Sequence, residues 1–339
     1  MSTSNLRIGG NRKNEKLEAL LKELNRLLAT AQAEVNRQQA RPRFPLLLLM
    51  GAPHSGTTLF MQWLAESGQW GYPTNVMSRF YAAPYLGARI QQILIENDIG
   101  GEISDFKKTD PYTSTLGKTT GALAPHEFWY FWRRFFPLDP EMDIVPPDAL
   151  ARVDVDKLNR ELAALEAALE KPLAFKAMLL NGHIPFLDAA FDKVLFVNLK
   201  RDPAYVVQSM LEGRLRHSGT EETWYSFKLP EYAWLKDRPP VEQVAGQIHF
   251  IRAATDAGMA HVAPARTCTL QYEDFCRDPA AAWSVLAEKM AGLGCPMDRA
   301  YEGPMKFDAA NTIRSAPARW EDIQAALAKF AAQEKEPLS

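Results

Sequence analysis

The chain has 339 residues, 47% of them hydrophobic, and can therefore bury one large core. A formal net charge of -2 excludes bulk electrostatic attraction to nucleic acid or to an anionic membrane, so any anion site must be local. Cys268, Cys276 and Cys295 lack the paired spacing of a disulfide framework or a zinc site, and we expect a cytoplasmic protein without a bound metal.

Residues 1–43 are predicted to form a helical extension. Their first part contains no apolar segment typical of a secretory signal, and no apolar run in the chain is long enough to span a membrane. Apolar side chains recur at helical spacing within residues 15–38, and a helix there could pack on the main domain or pair subunits of a homo-oligomer. The predicted apolar face consists of Leu17, Leu20, Leu21, Leu24, Leu27, Leu28 and Ala31.

An apolar strand over residues 45–50 leads into the sequence GAPHSGTT, residues 51–58, and then into a helix predicted to end near Glu66. A buried strand that enters a Gly-rich turn opening a helix points several backbone N–H groups at one spot, which suits a phosphate or a sulfate. The glycine spacing is that of a phosphate-binding P-loop. Thr57, however, stands where a kinase or ATPase has its lysine, which disfavours a kinase.

The next part of the chain combines a long loop with an aromatic stretch. Residues 98–125 are rich in Gly, Thr and Asp and predict a functional loop or lid. The sequence HEFWYFWRRFF follows at residues 126–136. At helical spacing Phe128, Trp132 and Phe135 share one face, which fits either a core helix or an aromatic wall for an acceptor.

A second distinctive sequence is KVLFVNLKRDPAYVVQS, residues 193–209, in which a buried strand is followed at once by a helix. Arg201 leaves the carboxyl end of the strand with a planar cation suited to a phosphate. Ser209 lies about two turns into the helix and can donate one hydroxyl hydrogen bond. The sequence therefore predicts a second anion contact.

The remaining elements complete an alternation of strands and helices. Residues 214–239 are predicted to be irregular. Further strands are predicted at 172–178 and 267–272, and further helices at 156–170, 240–257, 278–292 and from about Trp320. This alternation indicates an α/β fold with a central, mostly parallel sheet and helices on both faces. We expect one domain over residues 44–339, with acceptor-site insertions at about 70–150 and 213–240.

Together, residues 51–58 and 193–209 resemble the phosphosulfate loop and the 3'-phosphate motif of sulfotransferases that use PAPS, 3'-phosphoadenosine 5'-phosphosulfate. The resemblance extends over about residues 45–330. It implies a P-loop-like nucleotide-binding fold, PAPS as co-substrate, PAP as product and a hydroxyl-bearing acceptor. His54 departs from the family pattern, which usually has Lys or Arg at that place. The residues that the resemblance implies for nucleotide binding are His54, Ser55, Gly56, Thr57, Thr58, Arg201, Ser209, Tyr272, Arg314 and Arg319.

The resemblance also implies the catalytic groups. Lys176 matches a lysine at a strand end and could stabilise the bridging oxygen or the departing phosphate. His54 would face the same oxygen, where a neighbouring anion would raise its pKa, so that turnover falls as pH rises. For the base we favour Glu127, because a carboxylate beside aromatic rings suits that work, and His126 and His183 are alternatives.

Two other functions are compatible with parts of the pattern. One is an atypical P-loop kinase. The other is a non-catalytic nucleotide-binding interaction protein that uses residues 15–38 for contact. For the preferred function we expect a small molecule or a carbohydrate or glycoconjugate as the acceptor, because the sequence shows no secretory or membrane signal.

Overall fold

The computed structural model describes residues 14–103, 111–115, 117–139, 142–297 and 300–333. The predictions for the start of the chain and for part of the 98–125 loop lie outside these residues. None of the described helices combines the length and the apolar character that crossing a membrane requires.

Short strands alternate with longer helices along the described chain. The strands are β1 Leu46–Met50, β2 Ser114–Thr115, β3 Lys118–Thr119, β4 Ala174–Lys176, β5 Val194–Lys200 and β6 Thr267–Gln271. The α-helices are α1 Glu15–Arg37, α2 Thr57–Glu66, α3 Pro84–Gln91, α4 Trp129–Phe135, α5 Pro147–Leu150, α6 Val155–Leu169, α7 Ile184–Ala190, α8 Pro203–Ser218, α9 Tyr232–Leu235, α10 Pro240–Ala260, α11 Tyr272–Arg277, α12 Pro279–Gly292 and α13 Trp320–Gln333.

A parallel sheet in the order β4-β1-β5-β6 forms the centre of the fold. In its register, Leu48 of β1 lies between Phe175 of β4 and Phe196 of β5. Leu48 belongs to a hydrophobic cluster shared with α6, α8 and α10, whereas Leu47 and Leu49 belong to a second cluster shared with α2, α11 and α12. Helices therefore cover both faces of the sheet, which confirms the predicted α/β fold.

Helix α8 is longer than its sequence pattern predicts, because it continues through the first part of the 214–239 segment. Asp202 caps its start, with Oδ1 accepting the N–H of Ala204 at 2.8 Å. Gly219, at φ 81°, ends it in the left-handed conformation. Arg214 in the added turn is buried and donates to Gln243 Oε1 at 2.7 Å, which ties α8 to α10. The prediction of irregular structure from residue 214 is therefore wrong for residues 214–218.

The aromatic stretch is part of the core. Phe128 precedes α4 at φ 57° and stacks on Phe131, with ring centroids 4.9 Å apart. Trp132 and Phe135 are buried in the same cluster as Phe175 of the sheet. The structure thus supports the core interpretation of this stretch, and the aromatic side chains bury β4 rather than lining an open cleft.

Helix α1 packs on the main domain through a face that overlaps the predicted one only in part. Its buried side chains are Leu21 and three polar residues, Asn25, Gln32 and Asn36. Asn25 binds backbone groups of the segment before α3, since it donates to Arg79 O at 2.8 Å and accepts from Ala82 N at 2.7 Å. Gln32 accepts from Tyr85 N in the first turn of α3 at 3.1 Å. The predicted apolar face is wrong in this respect, since a stripe of leucines stays exposed: Leu20, Leu24 and Leu27.

We expect Asn25→Ala to lower the free energy of unfolding by about 2 kcal/mol, because it leaves the carbonyl of Arg79 and the N–H of Ala82 unpaired in a buried contact. Leu20→Ala on the exposed face of the same helix is the control and should change it by less than about 0.5 kcal/mol. Urea unfolding of both variants measures the difference. Equal effects would contradict the anchoring role of Asn25.

Candidate active site

The loop from β1 to α2 forms the centre of the site. Gly51 has a φ of 138°, His54 of 61° and Gly56 of 93°, so the chain reverses through three left-handed positions in a few residues. The first intrahelical bond of α2 runs from the N–H of Phe60 to the carbonyl of Gly56 at 3.1 Å. The N–H groups of the preceding turn therefore point into the loop, with the positive end of the helix dipole behind them.

The same loop has a buried hydroxyl available. Ser55 Oγ is buried and has no hydrogen-bond partner within the described residues. An orphan donor beside a row of backbone N–H groups fits an anion such as a phosphate or a sulfate. Thr57 is also buried, and its hydroxyl donates to the sulfur of Met178 at 3.2 Å. The position that carries a lysine in nucleotide triphosphatases is thus filled by a neutral, inward-facing side chain.

Two contacts that the sequence did not predict hold the loop in place. Asn181 accepts from the N–H of Gly51 at 3.2 Å and donates to its carbonyl at 2.8 Å, so one side chain clamps the end of β1. Nothing in the local pattern around Asn181 indicates this long-range bond. Tyr272 lies against Gly56, where an added Cβ would approach the ring to 2.2 Å.

The ring of Tyr272 is buried against two groups. It lies against Gly56, and the guanidinium of Arg201 sits 4.9 Å from its centroid. Its hydroxyl accepts from the N–H of Ala310 at 3.1 Å, and burial raises its pKa. In this structure Tyr272 supports the loop, and it presents no open face for the adenine contact that the sequence predicts.

An ion pair lies beside the loop. Lys176, the last residue of β4, places Nζ 2.6 Å from Glu127 Oε1 and donates to Thr58 Oγ1 at 2.9 Å. The lysine side chain is 7% exposed and the glutamate side chain 28%, so the pair is approached from the Glu127 side. The turn between β2 and β3 lies above it, because a Cβ on Gly117 would be 3.6 Å from Thr58 Oγ1 and 3.9 Å from Lys176 Nζ.

Neither alternative histidine has its basic nitrogen available. His126 Nδ1 accepts the N–H of Phe128 at 2.9 Å, and burial lowers the pKa of His126 to about 4. His183 Nε2 accepts the N–H of Val145 at 3.2 Å, and burial lowers the pKa of His183 as well. Of the three candidates for the base, the structure brings Glu127 next to Lys176 with a carboxylate oxygen partly open to solvent.

His54 does not take the orientation that the sequence predicts. Its Nδ1 lies 2.7 Å from Ser209 Oγ on α8, and its carbonyl accepts from Arg201 Nη1 at 2.8 Å. Burial, followed by the charges of Lys176 and Arg201, lowers the pKa of His54 to about 3. The side chain is therefore neutral at physiological pH in this structure, and its ring faces the second motif.

Arg201 is buried and bound through all of its nitrogens. Besides the His54 carbonyl, it donates from Nε to Asn311 Oδ1 at 2.8 Å and from Nη2 to Ala310 O at 2.5 Å. The segment that supplies these acceptors also contacts α8, since Gln208 donates to Thr312 O at 2.9 Å. Asn311 was not predicted from the sequence, which has no signal for a contact between residues so far apart in the chain.

The two carboxyl-terminal arginines differ in position. The N–H of Arg314 binds Gln208 Oε1 at 2.8 Å, and its guanidinium pairs with Glu212 of α8. Arg319 instead pairs with Asp322 in the first turn of α13 at 2.8 Å, and its side chain is 75% exposed. The structure thus brings Arg314 to the second motif and leaves Arg319 on the surface.

The chain is similar to known sulfotransferases. A model described as the sulfotransferase family matches residues 45–291, and the curated proteins contain no significant match. Among solved structures, the sulfotransferase STF1 from Mycobacterium tuberculosis is 15% identical, with 83% of this chain and 74% of that chain covered at a TM-score of 0.49. The sulfotransferase STF9 from Mycobacterium avium is 15% identical, with 95% and 82% covered at a TM-score of 0.49.

We expect Gly56→Ala to destabilise the protein by about 3 kcal/mol, because it combines left-handed backbone strain with a collision against the Tyr272 ring. Gly68→Ala is the matched control, since Gly68 is also left-handed but an added Cβ there meets nothing within 4 Å. Its cost should be about 1 kcal/mol, from backbone strain alone. Thermal and urea unfolding measure both, and equal costs would contradict the packing of Tyr272 against the loop.

Stability should fall as pH falls below about 6.5, because the pKa values of His54 and His126 are lowered to about 3 and about 4 in the folded chain. The unfolded chain then binds protons that the folded chain excludes, at up to about 1.4 kcal/mol per pH unit for each histidine. His126→Asn, which keeps an acceptor for the N–H of Phe128, should reduce this slope. Urea unfolding from pH 7 to pH 4.5 measures it. The same substitution at the exposed His261 is the control, and an unchanged slope in His126→Asn would contradict the assignment.

Proposed function

The chain belongs to the sulfotransferase family, and we propose that it moves a sulfuryl group from PAPS to a hydroxyl acceptor and releases PAP. The observation that carries this proposal is the contact of Lys176 with both Glu127 and Thr58 at the mouth of the loop. It brings a cation, a carboxylate and the anion-binding turn to one point. Sulfuryl transfer requires these three elements together.

The residues around the loop fit a nucleotide with one phosphosulfate and one separate phosphate. The N–H groups at the start of α2, with Ser55 and Thr58, are proposed to bind the 5'-phosphosulfate. The 3'-phosphate is proposed to bind Arg201, which follows β5, Ser209 in the first half of α8, and Arg314 in the segment packed on α8. Two anion sites on adjacent strand ends match the two charged groups of PAPS.

A triphosphate fits this site less well than PAPS does. At the lysine position of a nucleotide triphosphatase, the hydroxyl of buried Thr57 donates to Met178. The cation of the site enters from β4 instead, through Lys176 beside Thr58. We therefore prefer sulfuryl transfer to the phosphoryl transfer of a kinase.

The nucleotide supplies the sulfuryl group and a phosphate leaving group, and the chain supplies the base and the positive charge. The acceptor oxygen forms a bond to sulfur, the bond from sulfur to the bridging oxygen breaks with its electron pair remaining on PAP, and the acceptor proton passes to Glu127. Lys176 stabilises the negative charge that develops on the bridging oxygen. The ion pair of Glu127 and Lys176 places both functions within 2.6 Å of each other.

The acceptor is proposed to approach from the Glu127 side, since this side chain is 28% exposed and that of Lys176 only 7%. The turn at Gly117 and the chain before α4 border this approach. Phe128 and Trp132 are buried in the core and do not line this approach. We propose a hydroxyl of a small molecule or of a carbohydrate or glycoconjugate as the acceptor.

We expect Glu127→Gln to lower kcat by about 100-fold or more, because the amide cannot accept the acceptor proton, while PAP affinity changes by less than about threefold. Lys176→Gln should lower kcat to a similar degree. Transfer of labelled sulfate from PAPS to a panel of sugars and phenols gives kcat, and calorimetry gives PAP affinity. Glu66→Gln, at the exposed end of α2, is the control acid.

The alternative functions give different results in the same experiments. Tight binding of ATP with no binding of PAP would contradict the proposal and favour a kinase. Binding of PAP without sulfuryl transfer to any acceptor would favour a non-catalytic nucleotide-binding protein. Full activity of Glu127→Gln would contradict the role of Glu127 as the base but would not affect the proposal that PAPS is the sulfuryl donor.

A further inference from the structure

His54 has an unusual environment for a residue in a phosphate-binding loop. Its backbone is left-handed, at φ 61°, and its ring is directed away from the turn toward α8. Gly213 makes room for it, because a Cβ at that position would lie 3.3 Å from His54 Cε1. The ring of Tyr225, which also lies next to Gly213, makes an edge contact with the imidazole, with centroids 5.9 Å apart. The imidazole is thus held in a fixed orientation.

The two ring nitrogens of His54 have different surroundings. Nδ1 lies 2.7 Å from Ser209 Oγ, whereas Nε2 is buried without a hydrogen-bond partner within the described residues. A buried N–H group without an acceptor is rarer and more costly than a buried acceptor without a donor. The proton of the neutral ring therefore belongs on Nδ1, which donates to Ser209 Oγ. The hydroxyl proton of Ser209 is then left to be donated elsewhere.

We propose that His54 is a positioning residue for the 3'-phosphate of the nucleotide, donating from Nδ1 to Ser209 and so directing the hydroxyl proton of Ser209 to a phosphate oxygen. The inference rests on the proposed function and assigns His54 a task other than stabilising the bridging oxygen.

A second contact supports this assignment independently. The backbone carbonyl of His54 accepts from Arg201 Nη1 at 2.8 Å, so one residue contacts both members of the second motif. The cation next to the loop is Lys176, which contacts Thr58. Burial and the nearby charges of Lys176 and Arg201 lower the pKa of His54, so the imidazole stays neutral and its role is to orient hydrogen-bond donors.

Two isosteric substitutions separate the nitrogens. In His54→Asn the amide nitrogen takes the place of Nδ1, and asparagine tolerates the left-handed backbone. In His54→Gln the amide lies at the place of Nε2, toward Gly213 and away from Ser209. We expect His54→Gln to weaken PAP binding about tenfold and His54→Asn to weaken it by less than about threefold.

AMP, which lacks the 3'-phosphate, is the matched probe. We expect the affinity for AMP to change by less than about twofold in both variants, because the backbone N–H groups and the hydroxyls of Ser55 and Thr58, which are proposed to bind the 5'-phosphate, are unchanged. Calorimetry with PAP and AMP on the full chain measures these affinities, and thermal unfolding confirms that each variant is folded. Equal losses for PAP and AMP in His54→Gln would overturn the inference, because His54 would then act on the loop itself.

Ser209→Ala gives a second test, and the single variant leaves His54 unchanged. It should weaken PAP binding about tenfold, and adding His54→Gln to it should cause no further loss, because the two residues act in series. Additive losses would overturn the inference. Wild-type protein that does not bind PAP would overturn the proposed function as well, whereas PAP binding that is indifferent to His54 would overturn this inference alone.

Nitrogen NMR of selectively labelled histidine shows which ring nitrogen of His54 carries the proton. A purely structural role of His54 would not require the proton on Nδ1. The chain has 6 histidines, and His54→Asn identifies the resonances of His54. We expect Nδ1 to be protonated and Nε2 to be unprotonated at pH 7. Protonation of Nε2 would overturn the inference, because the Ser209 hydroxyl would then donate its hydrogen bond to Nδ1.

Discussion

The turn that carries the chain from β1 into α2 is the constraint on which the rest of the site depends. β1 is buried on both faces, so the chain must leave the sheet at Met50 and enter a helix whose first turn faces the same edge. This requires left-handed backbone at Gly51, His54 and Gly56. Three contacts with the surrounding chain hold the turn in place. They are the hydrogen bonds of the Asn181 amide, the packing of the Tyr272 ring and the hydrogen bond from Lys176 to Thr58.

A chain with a net charge of -2 concentrates positive charge at this turn. Lys176 and Arg201 are each 7% exposed, and buried cations are stable only when they are paired and hydrogen-bonded. Lys176 has Glu127 and Thr58 as partners, and Arg201 has three oxygen acceptors from the loop and from the segment near Asn311. The positive potential at the turn therefore comes from the positions of Lys176 and Arg201 and not from the overall charge of the chain.

The sequence predicts the elements that neighbouring residues determine, and it misses contacts between residues that are far apart in the chain. The strand before Gly51, the helix after it and the parallel sheet follow from apolar runs and glycine spacing, because burial and turn geometry leave a trace in neighbouring residues. The packing face of α1 does not follow from the local sequence pattern. Asn25 and Gln32 are buried only because the backbone near α3 offers partners for their amides. The direction of the His54 ring likewise depends on Ser209, which lies far along the chain.

The segment around Asn311 has a consequence for the boundaries of this protein as a working unit. The family match ends at residue 291, yet Ala310 and Asn311 complete the coordination of Arg201, and Thr312 binds Gln208 of α8. A chain cut to the matched region would retain the loop and the sheet but would lose two of the three acceptors that keep the buried guanidinium in place. Hydrogen bonding to one arginine therefore makes the chain at least as far as Thr312 part of the same structural unit as the matched region.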